Sequence, residues 1–169
     1  MKTESSSFRL DKEVFTEFKK QAKKQGLTVN SLVNKVMKEY VEWGAVIPSI
    51  QMIPIAATLV AKFLSNYSEE EIRKSVREHV EKHMVENLLM VKNEESIEAF
   101  MEMAENWCNA SGFPISSREK NGVTNYTIRH NQGIKFSILL EENIKTVIEI
   151  LTREKAKTKH MTNSISFWI

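Results

Sequence analysis

The first apolar pattern along the chain has period two. Over residues 5–10, Ser6, Phe8 and Leu10 alternate with Ser5, Ser7 and Arg9, the pattern of a half-buried strand. A strand this short is not stable alone. The residues that follow offer it no second strand, so the same strand of another copy is the expected partner. From residue 12 the period becomes helical. Asp11 stands where an N-cap belongs, and Val14, Phe18 and Ala22 form a stripe over 12–25, with Phe15 beside it and Lys19, Lys20, Lys23 and Lys24 outside. Gly26 is expected to stop this helix, because glycine takes the left-handed C′ conformation without strain. Thr28 opens the next helix, in which Val29, Leu32, Val33, Val36, Met37, Tyr40 and Val41 recur at three-to-four spacing up to Gly44. Residues 1–44 thus read as strand, helix, turn, helix, and about forty residues cannot bury a core as a monomer.

Residues 45–67 read as a connector. Pro48 and Pro54 bracket 49–53, which is expected to be extended. Ile55, Leu59, Val60, Phe63 and Leu64 then predict a short apolar helix over 55–66 that docks on the body or on a second protomer. Residues 68–169 form the body. Ser68-Glu69-Glu70-Glu71 is a capping box, opening a helix to about residue 91 with Ile72, Val76, Val80, Met84 and Leu88 on its stripe. A second helix over 94–110 carries Ile97, Phe100, Met101, Ala104, Trp107 and Cys108, and Gly112 closes it. Asn121-Gly122 predicts a type I′ hairpin between 113–119 and 123–130. Counting back from the turn sets Ile115 opposite Ile128 and Phe113 opposite His130, with Tyr126 on the same face. After Gly133, residues 134–151 predict a helix with a wide apolar face: Phe136, Leu140, Ile144, Val147, Ile148 and Leu151. A basic stretch, 153–160, leads to a last strand with Ile165, Phe167 and Ile169. The expected fold class is α+β, a small antiparallel sheet with helices over one face.

Composition sharpens this picture. The 169 residues include 24 Lys+Arg and 22 Asp+Glu, with 41% apolar and 8% aromatic residues. That suits a packed core and excludes both a wholly disordered chain and a uniformly basic coat for nucleic acid. Nine of the bases and six of the acids fall in residues 1–43, a local +3, which leaves fifteen and sixteen for the remainder. A basic head on a neutral body is the pattern of a polyanion-binding end joined to something else. The one cysteine, Cys108, supports no internal disulfide framework and suits a reducing compartment. The start of the chain has no apolar signal region. Residues 45–64, broken by Pro48, Gln51, Pro54 and Lys62, are a poor membrane span. A soluble cytoplasmic protein is expected.

Three stretches carry a resemblance: Ser5-Ser6-Ser7-Phe8-Arg9-Leu10-Asp11-Lys12-Glu13-Val14, Gly26-Leu27-Thr28-Val29-Asn30-Ser31-Leu32 and Tyr40-Val41-Glu42. In order and spacing they resemble the ribbon-helix-helix repressors, over residues 4–43. The resemblance implies a homodimer whose two strands form an antiparallel ribbon in the major groove of double-stranded DNA. It implies Ser5, Ser7 and Arg9 as base readers, and Thr28, Val29 and Asn30 as the phosphate grip. The chemistry agrees, since Arg donates two hydrogen bonds to guanine O6 and N7 and a helix N-terminus favours an anion. With Ser at two reader positions, direct discrimination is expected to be modest. The run Tyr126-Thr127-Ile128-Arg129-His130-Asn131-Gln132-Gly133-Ile134-Lys135-Phe136-Ser137 is similar to C-terminal modules of archaeal regulators, which implies a regulatory body.

Other candidate chemistry is sparse. His79 and His83 lie four apart on one helix with Glu86 on the same side, the spacing of a divalent-metal chelate. They also flank an apolar stripe, and packing at its border is the preferred reading, so no metal is expected. His130 reads as a hydrogen-bonded core histidine, with a ligand contact as the alternative. Arg129 and Lys135 flank its loop, where an anion could sit at the following helix N-terminus. Cys108 reads as inert packing. No Ser/His/Asp arrangement, phosphate-cradling loop or zinc-binding cysteine pair is present, and the sole aspartate, Asp11, serves as a cap. The expectation is therefore a sequence-specific DNA-binding transcriptional regulator, not an enzyme and without cofactor. Its body would oligomerise or sense an unknown small-molecule effector. The alternatives are an antitoxin whose C-terminal part wraps a toxin, and a ligand- or protein-binding module that the head only dimerises.

Overall fold

A computed structural model describes residues 4–169. The chain divides into two units, one ending at Glu42 and the other Trp43–Ile169.

The first unit holds α1, Lys12–Lys24, and α2, Val29–Glu39. The Asp11 carboxylate accepts from the amides of Glu13 and Val14 at 2.8 and 3.0 Å, satisfying two of the donors a helix start leaves orphaned. Gly26 takes φ 67°, and the Leu27 amide reaches back to the Ala22 carbonyl at 2.9 Å, closing α1 as a glycine C′ does. Thr28 Oγ1 accepts from the Ser31 amide at 3.0 Å and so caps α2. α2 ends before the expected Gly44 and continues as a π-helical turn over Tyr40–Gly44. The strand expected over 5–10 does not form within one chain. Residues 4–10 pair with no other segment, because a lone strand has no ladder to join.

In the second unit the connector corrects an expectation. It is turned rather than extended: the Gln51 amide bonds the Pro48 carbonyl at 3.3 Å and the Met52 amide bonds Ile47 at 3.2 Å. Pro48 leads this turn instead of stretching the chain. The helix beyond it, α3, spans Ala57–Leu64, shorter than 55–66. Its Ala57, Val60 and Leu64 pack on the core of the unit, while Leu59 and Phe63 stay exposed.

The rest is α4 (Glu69–Lys92), α5 (Ile97–Ser111), β1 (Ile115–Lys120), β2 (Val123–Arg129), α6 (Ile134–Thr152), β3 (Lys157–Met161) and β4 (Ser164–Trp168). The architecture is α+β: an antiparallel sheet in the order β1-β2-β4-β3, with helices packed on one face. The Ser68–Glu71 capping box forms. Asn121 and Gly122 take φ 55° and 76°, the two positive values a type I′ turn needs, and Ile115 pairs with Ile128 as expected. The hairpin differs at its open end. Gly112 caps α5 with φ 67°, and the Phe113 amide is held by the Cys108 carbonyl at 2.9 Å. Phe113 thus belongs to the end of a helix, and His130 instead donates its amide to the Asn163 carbonyl at 2.9 Å. The strand β3 overlaps the end of the stretch read as merely basic. Its inward residues, Thr158 and His160, meet the Glu141 carboxylate rather than hydrocarbon, so it shows no apolar alternation.

α6 is the central element. It buries Phe136, Leu140, Ile144, Val147 and Ile148 between α4, α5 and the sheet, where Ile128, Ile165 and Phe167 complete the core. Phe167 is wholly buried and its ring stacks on Tyr126 at 5.3 Å. Phe167→Ala is expected to cost about 3–5 kcal/mol, read as a lowered urea midpoint. A loss under about 1 kcal/mol would mean that the core rests elsewhere.

Candidate functional site

In the head, Ser5, Ser7 and Arg9 are all exposed, on a segment that makes no backbone pairing of its own. Thr28 spends its hydroxyl on the cap of α2, bonding the Ser31 amide and, at 2.8 Å, the Ser31 hydroxyl. The amides of Val29 and Asn30, next along, have no acceptor among the described residues. These are the orphan donors that every helix start presents, and here they open to solvent. Among the described residues of this unit only Ala22 and Leu32 are buried. The apolar stripe predicted from the sequence is present but covered only around these two residues: Val14 is 64% exposed, Tyr40 64% and Val41 70%.

In the body, the sequence-predicted candidates do not come together. The His130 ring is turned inward against Phe113 and Phe136. The Gln132 amide donates to its Nδ1 at 3.2 Å, so Nδ1 is unprotonated and Nε2–H donates to Ser137 Oγ at 2.8 Å. The Ser137 hydroxyl in turn donates to the Thr162 carbonyl at 3.2 Å. This relay spends both ring nitrogens, and burial pushes the His130 pKa down. Arg129 points to the other side of β2 and is exposed. Lys135 Nζ ends on the carbonyls of Ser65 and Tyr67, at 3.0 and 2.5 Å, where it caps the exit of α3. The expected anion site of Arg129, His130 and Lys135 is therefore not assembled: one side chain faces the core, one is occupied, and one faces away. His79 and His83 lie with ring centroids 5.0 Å apart. Glu86 does not join them, and no three His, Cys, Asp or Glu side chains among the described residues form a metal-binding group. Cys108 is wholly buried, and burial pushes its thiol up to about 12, which removes it as a nucleophile at neutral pH.

The strongest polar cluster of the body was not anticipated. Glu141 and Glu142 are buried on α6, facing Arg73 and Arg77 of α4. The Arg73 guanidinium donates to Glu141 at 2.8 Å and to Glu142 at 3.0 Å, while Arg77 donates to Glu142 at 2.6 Å. From β3, Thr158 Oγ1 and His160 Nδ1 reach Glu141 at 3.1 and 2.6 Å. A surface cleft of about 500 Å³ lies over this clasp, lined by Glu69, Glu70, Arg73, Lys74, Arg77 and Glu142. Its three acids balance its three bases, and its floor is already paired, so it offers no surplus charge to an ionic ligand. Arg73 and Arg77 at i, i+4, together with two adjacent acids inside an apolar helix, are the sequence signal that could have revealed it.

Comparison with protein-family models, with curated proteins and with solved structures finds no match. Among the described residues no helix is long and apolar enough to cross a membrane.

The clasp and His130 together set a pH dependence. Burial is the largest single influence on both carboxyls and pushes them up. The hydrogen bonds from Arg73, with His160 on Glu141 and Arg77 on Glu142, outweigh it and hold both below the ordinary 4.5. Their stabilisation is present above that value and is lost as pH falls through the lower folded values. His130 lies below its ordinary 6.5. The unfolded chain therefore takes up that proton first, and stability falls as pH drops below 6.5. The urea midpoint is expected to fall as pH drops below about 6.5 and again below about 4.5, and His130→Phe to remove only the first step. A midpoint constant from about pH 7 to 4.5 would contradict the first assignment, and one that stays constant on further acidification the second.

Proposed function

We propose that this chain is a homodimeric, double-stranded-DNA-binding transcriptional regulator that works through its N-terminal head, with the body as an oligomerisation or effector-sensing domain. The observation that carries the reading is the largely uncovered apolar stripe of the head. A unit that buries little beyond Ala22 and Leu32, while Val14, Val36, Met37, Tyr40 and Val41 stay exposed, needs a second copy to gain a core. Two heads joined along these stripes would bring two copies of residues 5–10 side by side. Each would then supply the missing strand of the other. Their outward residues, Ser5, Ser7 and Arg9, suit base edges, since a two-stranded ribbon fits the major groove. The open amides of Val29 and Asn30 suit a backbone phosphate, which fixes register without reading sequence.

The test combines selection of binding sites from random duplexes with sedimentation of the purified protein. A dimer is expected, and a folded monomer at low micromolar concentration would remove the basis for the ribbon. Arg9→Ala is expected to weaken binding to the selected site roughly 10- to 100-fold, with a smaller loss on scrambled duplex and an unchanged circular dichroism spectrum. Equal losses on both duplexes would make Arg9 a phosphate contact and move specificity to DNA shape.

A further inference from the structure

The sheet of the second unit has a face that none of that unit's own helices covers. Strand alternation puts Ile115, Tyr126, Ile128, Ile165 and Phe167 on the core side. The opposite face carries Arg118, Lys120, Arg129, Lys157, Lys159 and Trp168, with the exposed apolar Val123 and Met161 at its ends. The register aligns one row across all four strands, Arg118 to Asn125 to Trp168 to Lys157, and Lys157 Nζ lies 4.8 Å from the centre of the Trp168 ring. The neighbouring row runs Ser116, Thr127, Ser166, Lys159. No Asp or Glu occupies a strand position on this face, and among the described residues none of its five cations is paired with a carboxylate. In a chain whose net charge is only +2, that is a marked segregation.

Edge protection explains part of it. Lysines on outer strands keep sheets from pairing with other chains, which accounts for Lys157 and Lys159 on β3 and Lys120 on β1. It does not account for Arg129 on the inner strand β2, nor for a half-buried tryptophan at the end of the inner strand β4. A flat apolar ring with Lys157 against it, Asn125 and Ser166 beside it and further cations on the same face matches a polyanion whose units are themselves flat. Its width decides which one. With strands about 4.8 Å apart, the row from Arg118 to Lys157 spans about 14 Å. That is too broad to enter a major groove about 12 Å wide, which admits a helix or two strands.

We propose that the open face of the sheet binds single-stranded nucleic acid, with a base stacked on Trp168 and the phosphates held by the lysines and arginines of the same face. Stacking on an aromatic side chain inside a basic groove is sequence-tolerant, because every base has a π face. The site uses no residue of the head and does not rest on its reading.

The test measures anisotropy of labelled single-stranded DNA and RNA of ~12 nucleotides with the full chain. Trp168→Ala is expected to weaken binding roughly 5- to 150-fold, and Trp168→Phe much less, since it keeps a stacking ring. Lys157→Gln with Lys159→Gln, both exposed, is expected to lower affinity and to flatten the log–log salt slope by about 0.7 per lost phosphate contact. These two substitutions keep the test decisive if Trp168→Ala is misfolded by circular dichroism. Arg9→Ala should leave single-strand binding intact, so single-strand binding that depends on the sheet, without operator-specific duplex binding, would retire the head reading alone. The proposal is overturned if the wild type binds neither single strand at tens of micromolar, or if Arg9→Ala abolishes the binding while the sheet variants keep it. It is also overturned if scrambled duplex competes equally and Trp168→Ala is harmless, which would make the face a general polyanion contact.

Discussion

The body depends on two carboxylates that α6 carries inside. Glu141 and Glu142 are nearly inaccessible to water, and a buried carboxylate left alone is far costlier than the hydrophobic gain of the residues around it. Each must therefore find donors, and the donors come from different elements: Arg73 and Arg77 from α4, Thr158 and His160 from β3. The clasp fixes which turn of α4 lies against α6 and why β3 closes the sheet edge beside it. An ion pair of this kind adds little net stability over an apolar substitute, but leaving one partner unpaired is expensive. Its effect is to exclude other packings. Greasy side chains on α4, α5 and α6 could slide past one another at modest cost, and a paired guanidinium cannot.

The head obeys the opposite constraint. Its local signals are strong, with a carboxylate cap, a glycine stop and a hydroxyl cap in sequence, so its two helices are well defined in one chain. What one chain lacks is enough apolar material to bury. The helix stripes and the segment before α1 both stop short of a partner, and they do so for the same reason. Helices satisfy their backbone internally, whereas a strand and an apolar face need something outside themselves.

The two faces of the sheet show how one alternation serves two ends. Every second residue of β2 and β4 builds the core, and the residues between them are free to vary without affecting it. On these two strands they are one arginine, small hydroxyl and amide residues, one valine and one tryptophan. The core thus fixes where these side chains stand, and the strands hold them in rows more rigidly than a loop would.

The sequence by itself determined the features that depend on bonds within a few residues. The caps at Asp11, Thr28 and Ser68, the glycine stops at Gly26 and Gly112, and the Asn121-Gly122 turn with its Ile115–Ile128 pairing are of this kind, since each donor and acceptor is close along the chain. The apolar stripe of α6 was legible for a related reason: a 3.6-residue period survives whatever the stripe packs on. The tertiary structure alone decided the rest. β3 showed no alternation because its inward side chains meet a carboxylate 19 residues away from His160 rather than a hydrocarbon core. Phe113 left the hairpin because α5 claimed its amide, and the predicted grouping of Arg129, His130 and Lys135 dissolved once a core relay took the ring and α3 took the lysine. Partners dozens of residues apart leave no local trace, because the side chains that satisfy a buried charge are chosen by the fold that buries it.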